Sequence, residues 1–343
     1  MNKDFRRLDR VKGCLLGGAI GDALGCPVEE LTLDAINLKY GIDGISFPIL
    51  TEKGNAITSY RYSLTLDIVK TIITNFSSRY FNDKKALLSQ SISDMYRNIE
   101  KIHYVDNKNR ELKILSKLAA LGLLDNTDID MCLVASYVAV SLNAHPLTFL
   151  SCQYYVLIIR NIMKQDGRSL WRITKDSLRD IKQHYDNEAP RGYEELFNLN
   201  KKHLPEFIEK MKKAHILIKY DLVEQEKNRT ARDNTPLIIE SLGGGYLCIE
   251  ALAIALYAAV RFQSDPETAL RKAVNHSGNS VATGTLAGQI LGAYYGEKII
   301  PPYLVSKLEL TNEIEELSED LARCTHLDSL SEKEKEAWKK KYL

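Results

Sequence analysis

The side chains best suited to binding lie in a short polar loop, residues 275–284, which reads NHSGNSVATG. Its glycines, amides and hydroxyls are typical of the rim of a binding site at the start of a helix. The loop contains no carboxylate, so it lacks the groups that acid–base catalysis and hard metal ions need. His276 and Asn279 would offer a softer metal two ligands, and two rarely suffice. The loop has the form of a binding site without the charge that chemistry requires.

A second glycine-rich loop, residues 242–247 (LGGGYL), precedes an apolar helical run. The backbone amides of Gly243, Gly244 and Gly245 at a helix start are suited to hold a phosphate. A triple glycine also serves a tight turn. The sequence leaves both interpretations open.

The chain that must position these loops is helical in pattern. Apolar residues recur with spacings of three and four in 86–102, 133–144, 147–165 and 246–262, and strand-like alternation is scarce. Helix breaks are marked by HP at 145–146, QDG at 165–167 and QSDP at 263–266, with Asp265 as an N-cap. We predict an all-α fold forming one compact domain over residues 1–343. Its most polar part, 186–240, is predicted to form charged helices and loops on one side.

Glycines recur at every fourth residue in two rows. They are Gly13, Gly17, Gly21 and Gly25 in the first row, and Gly284, Gly288, Gly292 and Gly296 in the second. Residues four apart share one ridge of a helix, and each glycine inside a helix costs about 1 kcal/mol relative to alanine. Close backbone approach would offset this cost, so we predict that the first helix packs tightly on a late one. Asp22 and Asn279 would then lie beside a common cleft.

Composition excludes several classes of partner. The 343 residues carry a net charge of +1, which gives no electrostatic reason to expect nucleic acid or an anionic membrane. Asp22 and the glycines interrupt the apolar run near the N-terminus before it reaches the length that spans a membrane, roughly 20 residues. The six cysteines form no CxxC motif or Cys/His cluster, which indicates reduced thiols. We therefore expect a cytoplasmic protein.

Three stretches together resemble the ADP-ribosylglycohydrolase family. They are GCLLGGAIGDALGCPVEELTLDAI, GGGYLCIEALAIAL and NHSGNSVATGTLAGQILGAYYG, in that order along the chain. The resemblance runs from about residue 10 to about residue 325 and is poorest between about 165 and 235. It implies a compact, all-α helical bundle in a single domain. It also implies a cleft in which two magnesium ions help to remove ADP-ribose from modified side chains.

The metal ligands that the resemblance implies are replaced in this chain. In the family, one pair of aspartates precedes an apolar helix, and here Tyr60 and Arg61 stand at those positions, with Tyr62 in place of a threonine. The second pair lies in a glycine-bounded loop, where Asn279 and Val281 now stand. All four carboxylates are absent, so we predict no metal site and no cofactor, although magnesium would be the cofactor of the family.

Loss of the ligands on an otherwise retained frame predicts a pseudoenzyme that binds rather than cuts. The resemblance implies an ADP-ribosyl group or nucleotide as ligand, or a protein partner such as an ADP-ribosylating toxin, in an immunity or regulatory role. The alternative is an active glycohydrolase that removes ADP-ribose by metal-independent acid–base catalysis through Glu29 or Asp22. Glu29 aligns with a glutamate that lines the site in some relatives. A third hypothesis is a structural subunit whose cleft is filled by Arg61, paired with Asp22 or Glu29.

The candidates for ligand binding come from the three glycine- or tyrosine-rich segments around this cleft. Arg61 is suited to a phosphate and the tyrosines to stacking on a base or ribose. The full set is Tyr60, Arg61, Tyr62, Gly243, Gly244, Gly245, Tyr246, His276, Gly278, Asn279 and Ser280.

Overall fold

The structure is a computed structural model that describes residues 3–82, 112–125, 145–164, 166–189, 194–227 and 234–343, with a few separate positions between 90 and 139. This part of the chain contains fifteen α-helices and no β-strand, only two isolated β-bridges. The predicted all-α fold is therefore confirmed. The helices predicted in 86–102 and 133–144 lie largely outside the described residues.

The bounds of the described helices define the order of elements along the chain. In chain order they are α1 (Lys3–Gly25), α2 (Leu33–Tyr40), α3 (Tyr60–Asn82), α4 (Leu112–Leu115), α5 (Ala119–Leu123), α6 (Pro146–Met163), α7 (Leu170–Asp186), α8 (Glu194–Lys227), α9 (Thr235–Leu242), α10 (Cys248–Arg261), α11 (Pro266–Val274), α12 (Ser280–Tyr295), α13 (Pro302–Val305), α14 (Thr311–Arg323) and α15 (Glu332–Tyr342). The predicted breaks fall between helices. Asp265 caps α11 as predicted, because its carboxylate accepts the backbone N–H of Thr268 at 3.1 Å.

The two glycine rows meet along the contact between α1 and α12, which is the most extensive helix–helix contact among the described residues. The matched pairs are Gly13 with Gly292, Gly17 with Gly288 and Gly21 with Gly284. A Cβ atom added at any of these six residues would come closer than 3.0 Å to the backbone of its partner. The predicted close approach of the first and a late helix is confirmed, and only glycine permits it at these six positions.

The ends of the second row differ from the prediction. Gly296 terminates α12 with φ of +83°, a left-handed conformation that favours glycine, and its backbone lies against Gly13 together with that of Gly292. The partner of Gly25 is instead the backbone of Ser280, at the first residue of α12. The contact therefore runs from Gly13–Gly292 at one end to Gly25–Ser280 at the other.

The polar stretch 186–240 contributes more to the core than its composition suggests. Most of it is the single long helix α8, which buries Phe207, Met211 and Ile218 on one face. That face packs against α6 and α10 and includes Asp221, which pairs with Arg261 of α10, while most of the other charged residues are exposed. The prediction of charged helices and loops at one side missed this amphipathic pattern because the charges outnumber the apolar anchors.

Length and composition alone would allow residues Arg6–Val28 to cross a membrane, contrary to the expectation from Asp22 and the glycines. Most of this stretch is buried inside the fold, and the core helix of a helical bundle meets the same criterion. Five of the six cysteines lie among the described residues, and all five are free thiols.

Substitution of Gly17, in the central glycine pair, tests the contact between α1 and α12. Helix propensity alone would make Gly17→Ala stabilising by about 1 kcal/mol, whereas collision with the backbone of Gly288 makes it destabilising by about 3 kcal/mol. We expect urea unfolding to show that Gly17→Ala is destabilising. Thr74→Ala on the exposed side of α3 is the control and should change the free energy of unfolding by less than about 0.5 kcal/mol. A stabilised Gly17→Ala variant would contradict the contact.

Candidate functional site

The C-terminal end of α1 and the N-terminal ends of α3 and α12 surround a small cavity. Its volume is about 20 Å³, room for about one water molecule. The lining residues are Asp22, Arg61, Tyr62, Thr65, Ser116, Lys117, Asn279, Val281, Ala282 and Thr285. Asp22 and Asn279 thus lie beside a common cavity, as the paired glycine rows predicted.

Arg61 pairs with the carboxylate of Glu29 at the edge of this cavity. Both side chains are largely buried. Arg61 stands where the resemblance places a metal-binding aspartate, so a fixed cation lies at a position that would otherwise be anionic. The carbon of its guanidinium lies 5.8 Å from the ring centre of Tyr60, at the outer range of a cation–π contact. The pair matches the hypothesis of a cleft filled by Arg61.

Asp22 is a buried carboxyl group held by Ser59. Its oxygens accept hydrogen bonds from the backbone N–H of Ser59 at 2.5 Å and from its hydroxyl at 2.8 Å. Burial raises the pKa of the Asp22 carboxyl to about 7, although the hydrogen bonds from Ser59 and the charges of Lys117 and Arg61 act to lower it. A pKa in this range suits general acid catalysis. The carboxyl group is nevertheless 1% exposed and already engaged by Ser59.

Lys117 is a second cation at the cavity, and the sequence patterns did not single it out. Its side chain is 2% exposed, and it lines the cavity together with Asp22 and Arg61. The available signal was a lysine within the apolar run ILSKLAAL, residues 114–121, because a lysine is almost never fully buried unless it is paired. Two fixed cations therefore stand at this site.

The donors at the cavity do not fit a two-magnesium centre. Asn279 Oδ1 accepts the backbone N–H of Ala282 at 3.0 Å as the N-cap of α12, and Val281 presents only methyl groups. Magnesium prefers hard, largely anionic oxygen ligands. A unit positive charge about 4 Å from a divalent ion repels it by about 8 kcal/mol at an effective dielectric constant of about 20. Within the described part of the chain, no group of three His, Cys, Asp or Glu side chains is placed to hold a metal ion.

The three candidate tyrosines lie in different environments. Tyr62 is fully buried and its hydroxyl donates to the carbonyl of Leu15, so it serves the core as well as the cavity wall. Tyr60 and Tyr246 are 51% and 41% exposed and do not line the cavity. Burial raises the pKa of Tyr246, and the charges of Glu30 and Glu29 raise it further, which places this ring near the Glu29 edge.

His276 lies in the core rather than in the cavity. Its side chain has no exposed surface, and its Nε2 and Nδ1 atoms are hydrogen-bonded to Thr283 Oγ1 at 2.8 Å and to the carbonyl of Ser277 at 3.0 Å. Burial lowers the pKa of the His276 imidazole, which favours the neutral form of the ring. Both ring nitrogens are used, so the structure does not present His276 as a metal ligand.

Gly278 and Ser280 hold the polar loop against its neighbours. Gly278 has φ of +117°, and a Cβ atom there would collide with the carbonyl of Gly244. Its own carbonyl accepts the N–H of Glu30 at 2.8 Å, which fixes Glu30 in a left-handed conformation with φ of +64°. Ser280 is fully buried opposite Gly25 and outside the cavity lining.

The triple glycine packs against the same loop. The carbonyl of Gly244 accepts the N–H of Asn279 at 2.8 Å, and a Cβ atom on Gly243 would collide with Glu250. Glu250 itself accepts the N–H of Leu247 at 3.4 Å, so a carboxylate already faces the start of α10. This arrangement favours turn geometry over phosphate binding for Gly243, Gly244 and Gly245.

The buried Asp22 carboxyl makes stability depend on pH. Its unfolded pKa is about 3.9 and its folded pKa is about 7, so the folded state binds the proton more tightly between these values. The free energy of unfolding therefore falls as pH rises from about 4 to 7, by at most about 4 kcal/mol. Asp22→Asn cannot ionise and can keep both contacts with Ser59, so we expect it to remove this fall.

Urea unfolding of the wild type and of Asp22→Asn at intervals from pH 5 to pH 8 measures the difference. Contributions from other groups are common to both proteins and cancel in the comparison. Asp34→Asn on the exposed face of α2 is the matched control and should retain the wild-type pH dependence. Parallel curves for the wild type and Asp22→Asn would show that Asp22 is ionised at little cost in the folded state.

Comparison with known proteins agrees with the predicted fold and family. The family model described as ADP-ribosylglycohydrolase matches residues 2–330. A solved structure of an ADP-ribosylglycohydrolase-related protein complex is similar to this chain, with a TM-score of 0.59 and 19% sequence identity, over 94% of this chain and 99% of the other. At that identity the likeness shows the fold alone. A search of curated proteins gives no match. Because the family model spans nearly the whole chain, the protein belongs to the ADP-ribosylglycohydrolase family.

Proposed function

We propose that this protein is a non-hydrolytic member of its family that acts by binding a protein partner. The observation that supports this most directly is the ion pair between Arg61 and Glu29 at a position where the family carries a metal-binding aspartate. The pair leaves a cavity of about 20 Å³, whereas pockets for small ligands span roughly 300–1,000 Å³. An ADP-ribosyl group does not fit this space.

The charges at the site support binding over hydrolysis. Arg61 and Lys117 supply fixed positive charge where the family chemistry would employ metal ions, and neither can activate a water molecule as a bound metal does. The fold is retained around them by the glycine contact of α1 and α12. A toxin-neutralising or regulatory role would use this retained surface, and the similar solved structure is that of a complex.

A second candidate function is supported by Asp22. Its carboxyl has a pKa of about 7 and lies at the cavity, which is the property of a general acid in metal-independent hydrolysis. Glu29 would be the second carboxylate once it was released from Arg61. This candidate requires a substrate to open the site, whereas the binding proposal does not.

Release of ADP-ribose from ADP-ribosylated arginine distinguishes the two functions. We expect no release by the wild type with or without magnesium, and no calorimetric signal on titration with free ADP-ribose. An active family member serves as the positive control. Magnesium-independent release that is lost in both Asp22→Asn and Glu29→Gln would establish the second candidate, and magnesium-dependent release would contradict both.

Restoration of the four carboxylates tests whether the missing charge is what excludes magnesium. The variant Tyr60→Asp/Arg61→Asp/Asn279→Asp/Val281→Asp should show a melting temperature that rises with magnesium chloride, because a metal that binds only the folded state stabilises it. The wild type should show no such rise. Sodium chloride at equal ionic strength is the control for screening of the added charges. A magnesium response of equal size in the wild type would contradict the proposal.

A further inference from the structure

A groove on the surface between α7 and α8 is distinct from the Asp22 cavity and shares none of its lining residues. Its volume is about 400 Å³. Each helix supplies five lining residues with the same spacing of 0, 4, 7, 8 and 11 positions. They are Trp171, Lys175, Leu178, Arg179 and Lys182 from α7, and Ile208, Lys212, His215, Ile216 and Lys219 from α8. Eleven residues of helix extend about 16 Å, so the groove is about three helical turns long.

The floor of the groove is apolar and partly open to solvent. Leu178 is buried, Trp171 and Ile208 are half-buried, and Ile216 is 67% exposed. His215 is buried beneath them, with its ring 5.4 Å from that of Trp171. A contiguous apolar surface that is rimmed by polar residues is typical of a contact site.

All the charged residues that line the groove are cationic, and they form its sides. These are Lys175, Arg179 and Lys182 on α7, and Lys212 and Lys219 on α8, with no carboxylate in the lining. Arg179 forms an ion pair with Asp176 at 3.1 Å. Lys175 lies over the ring of Trp171 at 5.4 Å. In a protein whose net charge is +1, the four lysines around one apolar groove form a local departure from neutrality.

We propose that this groove binds an acidic amphipathic helix of a protein partner. Such a helix would place apolar residues at i, i+3, i+4 and i+7 on the Trp171–Ile216 floor and its carboxylates against the lysines of both sides. The length of three turns and the concave shape match a helix better than they match a flat lipid surface. This inference rests on the proposed function, because it names the chemistry of the partner that a binding protein would recognise.

A designed peptide measures this binding directly. The probe is an 18-residue helix, about five turns, with leucines at i, i+3, i+4 and i+7 and glutamates on both flanks. The protein has two tryptophans, and Trp338 is buried with its Nε1 donating to Ser77 Oγ at 2.7 Å, so a change in fluorescence on binding reports Trp171. We expect saturable binding that weakens as salt rises, and Trp171→Phe should abolish the signal.

Charge reversal identifies the surface that is used. Lys175→Glu/Lys212→Glu should weaken peptide binding by at least about tenfold, because close charge pairs at interfaces contribute more than 1.4 kcal/mol. Lys333→Glu/Lys340→Glu on α15 makes the same charge change at exposed lysines outside the groove and should leave the affinity unchanged. Circular dichroism confirms that each variant is folded. Equal affinity in the groove variant and the wild type would overturn the proposal.

Two further experiments distinguish a membrane from a protein partner, and the groove proposal from the proposed function. Phosphatidylglycerol vesicles that bind the wild type and lose binding in the groove variant, with no binding of the peptide, would assign the groove to a membrane and overturn the proposal. The ADP-ribose release assay does not involve the groove. Hydrolysis together with peptide binding would refute the proposed function and leave the groove assigned, whereas neither hydrolysis nor peptide binding would refute the groove alone.

Discussion

Direct backbone contact between α1 and α12 is the constraint on which the rest of the structure depends. Three glycine pairs let the two helices approach until any added Cβ atom would collide with the opposite backbone. The contact fixes the register of the helices, since Gly21 must meet Gly284 and Gly25 must meet Ser280. Asp22 follows Gly21 and Asn279 precedes Ser280, so both are brought to the same cavity. Each glycine inside a helix costs about 1 kcal/mol relative to alanine. The close packing of α1 on α12 offsets this cost.

This contact explains how the family fold persists while the donors for a metal do not. The three glycine pairs lie along the helix axes, whereas Arg61 lies on α3 and Val281 lies at the Gly25 end of the contact, outside those pairs. Replacement of anionic ligands would leave a cavity with unbalanced charge if nothing compensated. The pairing of Arg61 with Glu29 supplies a local charge balance. An ion pair of this kind closes the space with protein atoms, whereas a metal centre keeps an open position for water or substrate.

The sequence predicts the fold and part of the site for identifiable physical reasons. Spacing of four residues is a direct consequence of helix geometry, so the paired rows predict the α1–α12 contact. Residue type alone shows that Arg61 and Val281 cannot replace aspartate. Lys117 could not be placed, because its position depends on how the short 3₁₀ turn Ser116–Leu118 packs on α3 and α12, a long-range contact with no local pattern. The left-handed end at Gly296 was missed for a related reason, since the spacing of four continues past the end of the helix.

The groove between α7 and α8 also could not be predicted from the sequence. Composition marks residues 186–240 as polar, and polarity averaged over a segment hides a stripe of apolar residues that repeats with helical spacing. Only the packing of α8 on α6 and α10 determines which stripe is buried and which remains at the surface beside α7. The stripe through Ile208 and Ile216 is left outside the core, with lysines at the intervening turns. The family site is closed by its own side chains and the apolar stripe is left open, and on these two features the proposed binding function places the contact with a partner at the surface rather than in the cleft.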